Sequence, residues 1–423
     1  MQQIRSVMEK ALLQETLSNG LRVNVMKKPG FQKKYAIFAV QYGSFDSQFE
    51  VEGKGIVHVP DGIAHFLEHK LFEEKEGHVF ERFAQFGANV NAFTSYTMTS
   101  YLFSTTEYFL EALAELLRFV QTPYLTKENV EKEKGIIEQE LRMYDDHPAR
   151  RIYSNLLSGL YHKHPIVIDV GGTVDSIQKI TVDLLLECYH LFYQPKNMVL
   201  FVIGDVDSAQ IINLVREHTA NWQYQEKEIK RIYPKEPPTI ARPFIEQKLN
   251  VSRPRYYLGF KDNSRQAGKE LLKQQFAMHM IWRKIAAKSS LVYERLYNSG
   301  LIDDSFGASF QAAPQYAFSI VGGETDQPKK LDETLREAII NIQKEQLNTD
   351  DVDRMKRYVL GNYLASFNSL EYIANSFVSH LFNGTNFLDI PEVINDLTVD
   401  DVNQFLIEGL NLERTAVSLL MPE

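Results

Sequence analysis

The chain has 423 residues, of which 44% are hydrophobic, and its formal net charge is −9. A chain of this length is too long to fold around one ordinary hydrophobic core, so we predict two domains of roughly 200 residues each. The acidic balance argues against nucleic acid as a partner, because nonspecific nucleic-acid binding depends on basic surfaces. No run approaches the roughly 18 to 20 apolar residues of a membrane-spanning helix, so no membrane partner is predicted either.

The first residues, MQQIRSVMEKALLQETLSNG, lack the apolar block and the small-residue cleavage site of a secretory signal. We therefore expect the protein in the cytoplasm. Cys188 is the single cysteine, so an intrachain disulfide cannot form, which fits a reducing compartment.

Strands and amphipathic helices occupy separate stretches of each half. In the first half, apolar strand patterns at 21–28, 36–44 and 100–106 precede a helical pattern at 107–120. A strand at 316–323 and a helix at 331–346 repeat this arrangement in the second half. Strands that follow strands favour an α+β fold, with antiparallel sheets packed with helices, over a doubly wound parallel sheet.

A predicted helix at 62–73, GIAHFLEHKLFE, carries two histidines four residues apart and a glutamate between them. Residues i and i+4 share a helical face, so His65 and His69 can direct both imidazoles at one ion. Glu68 points to nearly the same side. Catalytic zinc needs three protein ligands and a carboxylate to accept a proton from water, so this helix supplies two ligands and a base. The alternative is an exposed helix with unconnected polar residues.

The third ligand is expected on another helix, within VEKEKGIIEQELRMYDD at 130–146. Glu133 and Glu140 are two helical turns apart and share a face beside the apolar stripe of Ile136 and Ile137. We predict Glu140 as the third zinc ligand and Glu133 as a carboxylate that orients a ligand or a substrate group. The alternative for Glu133 is a solvated helix charge.

The remaining histidines form no comparable set. His162 and His164 lie two apart beside Pro165, but no third ligand is suggested, so we predict a structural or surface role for both. His58 and His78 belong to no constellation.

Three segments recur in the same order in the second half, which indicates a duplicated domain. The matching segments are 81–93 with 294–306, the helices that begin at Leu125 and Leu347, and the ITVD and LTVD sequences at 180 and 397, each of which opens a helix that runs into an apolar strand. The charged, proline-rich segment 224–243 is typical of an exposed linker. The predicted domains are therefore 1–223 and 244–423.

The second copy has lost the metal set of the first. The position that matches Glu140 is Asn362, and the position that matches Glu133 is Met355. The helix around FAMHMIWRK, residues 276–284, contains no H-x-x-E-H sequence. One half thus carries a complete candidate site and its copy carries none.

The inverted zinc motif, the EKGIIEQE helix, and the segments GANVNAFTS and YQPKNMVLFVIGD resemble the pitrilysin/insulinase family of zinc peptidases over essentially the whole chain. The length resembles the half-size branch of that family, which includes mitochondrial processing peptidase. The resemblance implies two homologous α+β domains, with zinc on the N-terminal one. It further implies that two half-size chains close as a clamshell around unfolded peptides.

The resemblance also assigns roles to residues. It implies one zinc ion per chain with Glu68 as the general base, Glu133 as an auxiliary glutamate, and three ligands: His65, His69 and Glu140. It implies that substrate adds as a further strand to an edge strand, where main-chain hydrogen bonds give affinity and pockets give specificity. The residues of that edge strand are Asn91, Ala92, Phe93, Thr94 and Ser95.

Two features depart from the family pattern. Thr97 stands where the edge strand often carries a glutamate. Peptidases of this family usually carry, in the second domain, an arginine and a tyrosine seven apart that bind the substrate backbone and the oxyanion, and Leu296 and Asp303 stand there instead. Arg295 and Tyr297 are neighbours that do not restore the spacing.

The sequence therefore predicts a zinc metalloendopeptidase that cleaves unfolded peptides inside a chamber. We expect it to be the catalytic subunit of a heterodimer with a homologous half-size chain that supplies the Arg/Tyr pair, with a homodimer as the alternative assembly. The alternative function is a noncatalytic peptide-binding or assembly subunit of the same fold. The intact set of His65, Glu68, His69 and Glu140 favours the enzyme.

Overall fold

A computed structural model describes residues 2–75, 77–224, 226–263 and 265–423. The strands are β1 Leu12–Thr16, β2 Arg22–Lys27, β3 Lys34–Val40, β4 Gln48–Val51, β5 Gly55–His58, β6 Glu73–Glu74, β7 Gly77–His78, β8 Asn89–Thr94, β9 Thr99–Thr105, β10 Met198–Gly204, β11 Ile229–Arg231, β12 Phe244–Leu249, β13 Arg255–Asp262, β14 Gly307–Ala313, β15 Tyr316–Glu324 and β16 Thr415–Pro422. The α-helices are α1 Gln2–Ala11, α2 Ile63–Leu71, α3 Val79–Gln85, α4 Phe109–Gln121, α5 Lys127–Asp145, α6 Pro148–Leu160, α7 Val174–Ile177, α8 Val182–Phe192, α9 Ser208–Thr219, α10 Gly268–Ala286, α11 Leu291–Asn298, α12 Pro328–Glu345, α13 Thr349–Ser366, α14 Leu370–Phe382, α15 Ile390–Asp396 and α16 Val399–Gly409.

The first large sheet has the strand order β1-β2-β10-β3-β9-β8. Among the described strands of this sheet, β2 and β10 alone pair in parallel, and the other neighbours are antiparallel. Every residue of β10 is buried, which explains why MVLFVIG is a continuous apolar run rather than an alternating one. At the end of the sheet opposite β1, strand β8 pairs with β9 alone among the described residues and forms an edge of the sheet.

The second large sheet, with the order β12-β16-β13-β15-β14, repeats the first. Its strands match β2-β10-β3-β9-β8 in order and in direction, including the single parallel pair, β12 with β16. The predicted α+β fold with an internal duplication is confirmed. The repeated helices fall on equivalent elements, since α3 corresponds to α11 and α5 to α13. The first repeat does not extend to equivalent strands, because 81–93 includes most of β8 whereas 294–306 ends before β14 begins.

Each half contributes one helix to the sheet of the other half. Helix α6 of the first half packs on β12, β13 and β16, and α14 of the second half packs on β3 and β10. Phe201 on β10 meets Phe377 on α14 with ring centroids 4.7 Å apart. Leu156 of α6 packs so closely on Gly259 that a Cβ there would lie 2.9 Å from its side chain. The two halves therefore bury apolar surface against each other.

The predicted linker, 224–243, is tied to both halves. It supplies β11, which pairs with β4 of the first half. Glu236 accepts hydrogen bonds from the backbone N–H groups of His162, Lys163 and His164 and forms an ion pair of 2.6 Å with buried Lys261 of the second half. The domain limits predicted from the sequence stay a prediction.

His164 lies in an aromatic cluster between the halves and is 2% exposed. Its Nδ1 accepts a hydrogen bond from the backbone N–H of Ile166, and burial lowers its pKa to about 4. Phe45 and Tyr316 pack against its ring from opposite halves.

None of the described helices combines the length and the apolar character that a bilayer crossing requires.

Candidate metal centre

Helix α2 is placed by a close backbone approach at the residue just before its start. Gly62 precedes the helix with φ +86°, and a Cβ there would lie 2.2 Å from the carbonyl oxygen of Gly171. Only glycine permits both the left-handed conformation and this contact. The apolar face of α2, including Phe66 and Leu67, is fully buried. His65 and His69 therefore project from a helix whose position is fixed on its other side.

The histidines of α2 meet Glu140 of α5. The Oε2 atom of Glu140 lies 3.9 Å from Nε2 of His65 and 3.6 Å from Nε2 of His69. In a tetrahedral zinc site with bonds of 2.0 to 2.2 Å, ligand atoms lie about 3.3 Å apart. The two distances from Glu140 exceed that spacing by about 0.3 and 0.6 Å, and all three ligand atoms lie within 4.8 Å of one another. The two-nitrogen, one-carboxylate donor set suits zinc with a position open to water. The residues therefore fit the metal that the sequence predicts.

Glu133 lies two turns before Glu140 on the same face of α5 and is 9% exposed, so it is not a solvated helix charge. Its Oε1 is 3.0 Å from Nδ1 of His69, the ring nitrogen that faces away from Glu140. Lys70, whose side chain is fully buried, lies 3.5 Å from the other oxygen of Glu133. A carboxylate that holds the second nitrogen of a metal-binding histidine fixes its tautomer and its ring orientation.

Glu68 is held against the edge strand. The hydroxyl of Thr94 on β8 donates a hydrogen bond of 2.6 Å to Oε2 of Glu68. Asn91, Ala92, Phe93 and Thr94 belong to β8, and Ser95 follows directly. The structure thus brings the predicted general base and the predicted substrate strand together.

Burial and neighbouring charges shift the ionisation of this cluster in different directions. Burial, aided by the charge of His69, lowers the pKa of His65 to about 4, so its imidazole is neutral at neutral pH, the form that binds metals. Burial also lowers the pKa of His69, but the hydrogen bond and the charge of Glu133 outweigh it and the pKa is raised. Burial raises the pKa of Glu68, partly offset by the Thr94 hydrogen bond. A buried carboxyl with a raised pKa is suited to general base catalysis near neutral pH.

Two clefts meet at this cluster. One has a volume of about 540 Å³ and extends past Glu140, and the other has a volume of about 500 Å³ and extends past Glu133. Glu68, His69 and Ala92 line both clefts. An extended peptide added to β8 would therefore have a cleft on each side of the Glu68 carboxylate.

The positions of the missing arginine and tyrosine offer no replacement donors. Leu296 is 1% exposed and packs in the core. Asp303 forms an ion pair of 2.6 Å with Arg253. Burial alone would raise the pKa of Asp303, but hydrogen bonds from Ser305 and Arg253 hold it below its ordinary value, so this group stays an anion.

Three residues of the site were missed by the sequence analysis: Lys70, Tyr144 and Arg150. Lys70 directly follows His69, but its burial beneath Glu133 has no signal in the sequence. Tyr144 does have one, because it lies four residues after Glu140 on the same helix and therefore on the same face. Arg150 belongs to α6 and reaches the site only through the turn between α5 and α6.

Two protein-family models match this chain. Residues 59–174 match the model described as Insulinase (Peptidase family M16), and residues 179–359 match the model described as Peptidase M16 inactive domain. The first match contains the candidate site and the second covers most of the copy without one.

Two relatives are similar over nearly their full length. The uncharacterized zinc protease YmfH of Bacillus subtilis is 43% identical, over 98% of each chain. The crystal structure of a putative M16-like peptidase from Alicyclobacillus acidocaldarius has 37% sequence identity and a TM-score of 0.94, with 97% of this chain and 98% of that chain covered. The periplasmic protease PqqL of Escherichia coli shares the fold with a TM-score of 0.75 at 18% identity, and 98% of this chain covers 48% of PqqL.

Proposed function

Because this chain belongs to the insulinase family of peptidases, family M16, we propose that it is a zinc-dependent endopeptidase that cleaves unfolded peptides. The observation that carries the proposal is the convergence of His65, His69 and Glu140 beside the buried carboxylate of Glu68. The name of one relative, the zinc protease YmfH, supports the same metal and the same reaction class.

His65, His69 and Glu140 would hold one zinc ion per chain. When bound there, zinc would supply Lewis-acid polarisation of the scissile carbonyl and of the attacking water. Glu68 takes a proton from that water and then passes it to the leaving amine. Thr94 holds Oε2 of Glu68, so we assign the proton transfer to Oε1. Glu133 keeps the ring of His69 in the orientation that ligation requires.

Substrate recognition is assigned to the free edge of β8. Its exposed N–H and C=O groups can pair with any extended backbone, and the two clefts beside Ala92 can receive the alternate side chains. A peptide bound in this way has its main chain next to Glu68. Residues 91–95 are therefore the proposed substrate-binding strand.

The proposed assembly is a heterodimer with a homologous half-size chain that carries the arginine and tyrosine missing here. Leu296 and Asp303 cannot donate a hydrogen bond to an oxyanion, because leucine has no donor and an ionised aspartate only accepts. This chain covers 48% of the PqqL chain, which leaves room there for a second unit of this size. In that arrangement the second unit covers the zinc-bearing face and forms a closed chamber.

Replacing Glu140 by glutamine should weaken zinc binding by more than about 100-fold, because loss of an outer-shell partner alone typically costs 10- to 100-fold and this change removes a charged ligand. Glu138→Gln removes a charge from the same helix outside the cluster and should leave the zinc affinity unchanged. The measurement is zinc content after gel filtration, together with chelator competition. Full zinc occupancy in Glu140→Gln would refute the ligand assignment.

Cleavage should require an unfolded substrate, because a residue already paired in a folded sheet cannot add to β8. The comparison uses one small disulfide-bonded protein in two forms, native and reduced with its cysteines alkylated. We expect the unfolded form to be cut and the native form to survive, as followed by mass spectrometry. Equal rates for the two forms would contradict the edge-strand chamber.

A further inference from the structure

Glu140 uses its two carboxylate oxygens differently. Oε2 faces the histidines, whereas Oε1 accepts a hydrogen bond of 2.5 Å from the hydroxyl of Tyr144. Among the described residues, the Tyr144 hydroxyl thus has a metal-binding side chain, Glu140, as its hydrogen-bond acceptor. The carboxylate is therefore turned so that a single oxygen is directed at the candidate metal position.

Tyr144 is itself held from its other side. The guanidinium carbon of Arg150 lies 3.2 Å from the centre of the Tyr144 ring, a stacked cation–π arrangement. Arg150 lies 3.9 Å from the Oδ2 atom of Asp169, and Oδ1 of Asp169 accepts a 2.8 Å hydrogen bond from the backbone N–H of Gly171. This row of contacts ties the ring to the loop that also lines the cleft beside His65.

We infer that Tyr144 is a positioning residue of the metal centre, which holds Glu140 as a ligand through one oxygen and is in turn held by Arg150. The inference rests on the proposed function, since it assigns a role toward the zinc that function requires. Without the Tyr144 hydroxyl, the Glu140 carboxylate can rotate and offer both oxygens or neither. Part of the binding free energy of the ion is then lost in ordering that carboxylate, as for other outer-shell partners of metal ligands.

The arrangement complements the contact at His69. Glu133 holds one ligand ring from α5, and Tyr144 holds a second ligand from the same helix three turns further on. Because α5 carries Glu133, Glu140 and Tyr144 on one face, a single rigid helix orients two of the three metal-binding groups. The copy of this helix in the second half carries Met355 and Asn362 at the first two of these positions.

The experiment measures zinc affinity by chelator competition in Tyr144→Phe, which removes only the hydroxyl. We expect the affinity to fall by about 10- to 100-fold. Arg150→Met, which keeps the hydroxyl but removes the stacked cation, should lower it by about two- to fivefold. The cobalt(II) form of Tyr144→Phe should also absorb more weakly in the visible, because a freed Oε1 can enter the coordination sphere and tetrahedral cobalt absorbs most strongly.

Tyr153→Phe is the matched control. Tyr153 lines the same cleft, but its hydroxyl donates to Gln311 at 3.4 Å rather than to a metal-binding group, so its zinc affinity should equal that of the parent protein. The melting temperatures of all apo proteins are compared to show that the fold is intact. If the zinc affinity of Tyr144→Phe lay within twofold of that of the parent, the inference about Tyr144 would be overturned and the proposed function would stand. If the parent protein bound no zinc, the proposed function itself would be overturned.

Discussion

Glu68→Gln is expected to lower the rate of peptide hydrolysis by about 10²- to 10⁴-fold, the contribution typical of general acid–base catalysis, while zinc stays bound. Glutamine has the shape of glutamate and its carbonyl oxygen can still accept the hydrogen bond from Thr94, so the fold and the metal set are preserved. It cannot accept a proton from water. The paired measurements are kcat on an unfolded peptide and zinc content of the same preparation.

Glu217→Gln provides the control for this change, because Glu217 is exposed on α9 and removal of its charge affects neither cleft. Its activity and zinc content should match those of the parent. If Glu68→Gln kept more than a tenth of the parent activity with zinc bound, Glu68 would not be the base. Loss of zinc from Glu68→Gln would instead mean that the carboxylate is needed to build the metal centre.

Addition of a homologous half-size chain that carries the arginine and the tyrosine should raise the rate of peptide hydrolysis by about 10²- to 10³-fold. Loss of one oxyanion donor changes kcat by a factor of this size in other hydrolases. The reason lies in the second half of this chain. Leu296 is buried in the core, and Asp303 is an anion paired with Arg253. A second copy of this chain would bring the same two residues, and a developing negative charge would be repelled by the aspartate.

The mixture is assayed at fixed zinc with purified chains, alone and combined, and the complex is sized by light scattering. A partner in which the arginine is replaced by leucine and the tyrosine by aspartate should still bind but should not stimulate. If this chain alone hydrolysed the peptide at its full rate and mixing gave no increase, the heterodimer would be contradicted. The oxyanion donors would then lie within this sequence.

Helical periodicity made the centre of the site readable from the sequence. His65 and His69 share a face because they are four apart, and Glu133 and Glu140 share a face because they are seven apart, and both facts are local. The concerted absence of such residues at Met355 and Asn362 then separated the site-bearing half from its copy. The duplication itself was readable because matched helices and strands kept their order.

Only the tertiary structure decided which groups complete the site. Thr94 meets Glu68 because β8 packs beside α2, and Lys70 lies under Glu133 because α5 crosses the same helix. Arg150 stacks on Tyr144 only because the chain turns back between α5 and α6. These contacts depend on how whole elements dock, which no periodicity in a single segment encodes.

The exchange of α6 and α14 between the two halves was equally invisible in the sequence. An amphipathic helix shows that one face is buried but not which sheet covers it. The burial of Leu156 against Gly259 and of Phe377 against Phe201 joins residues that lie more than a hundred positions apart. The sequence by itself determined the fold class, the duplication and the candidate metal-binding residues, whereas long-range packing determined how the halves join and which neighbours orient the candidate site.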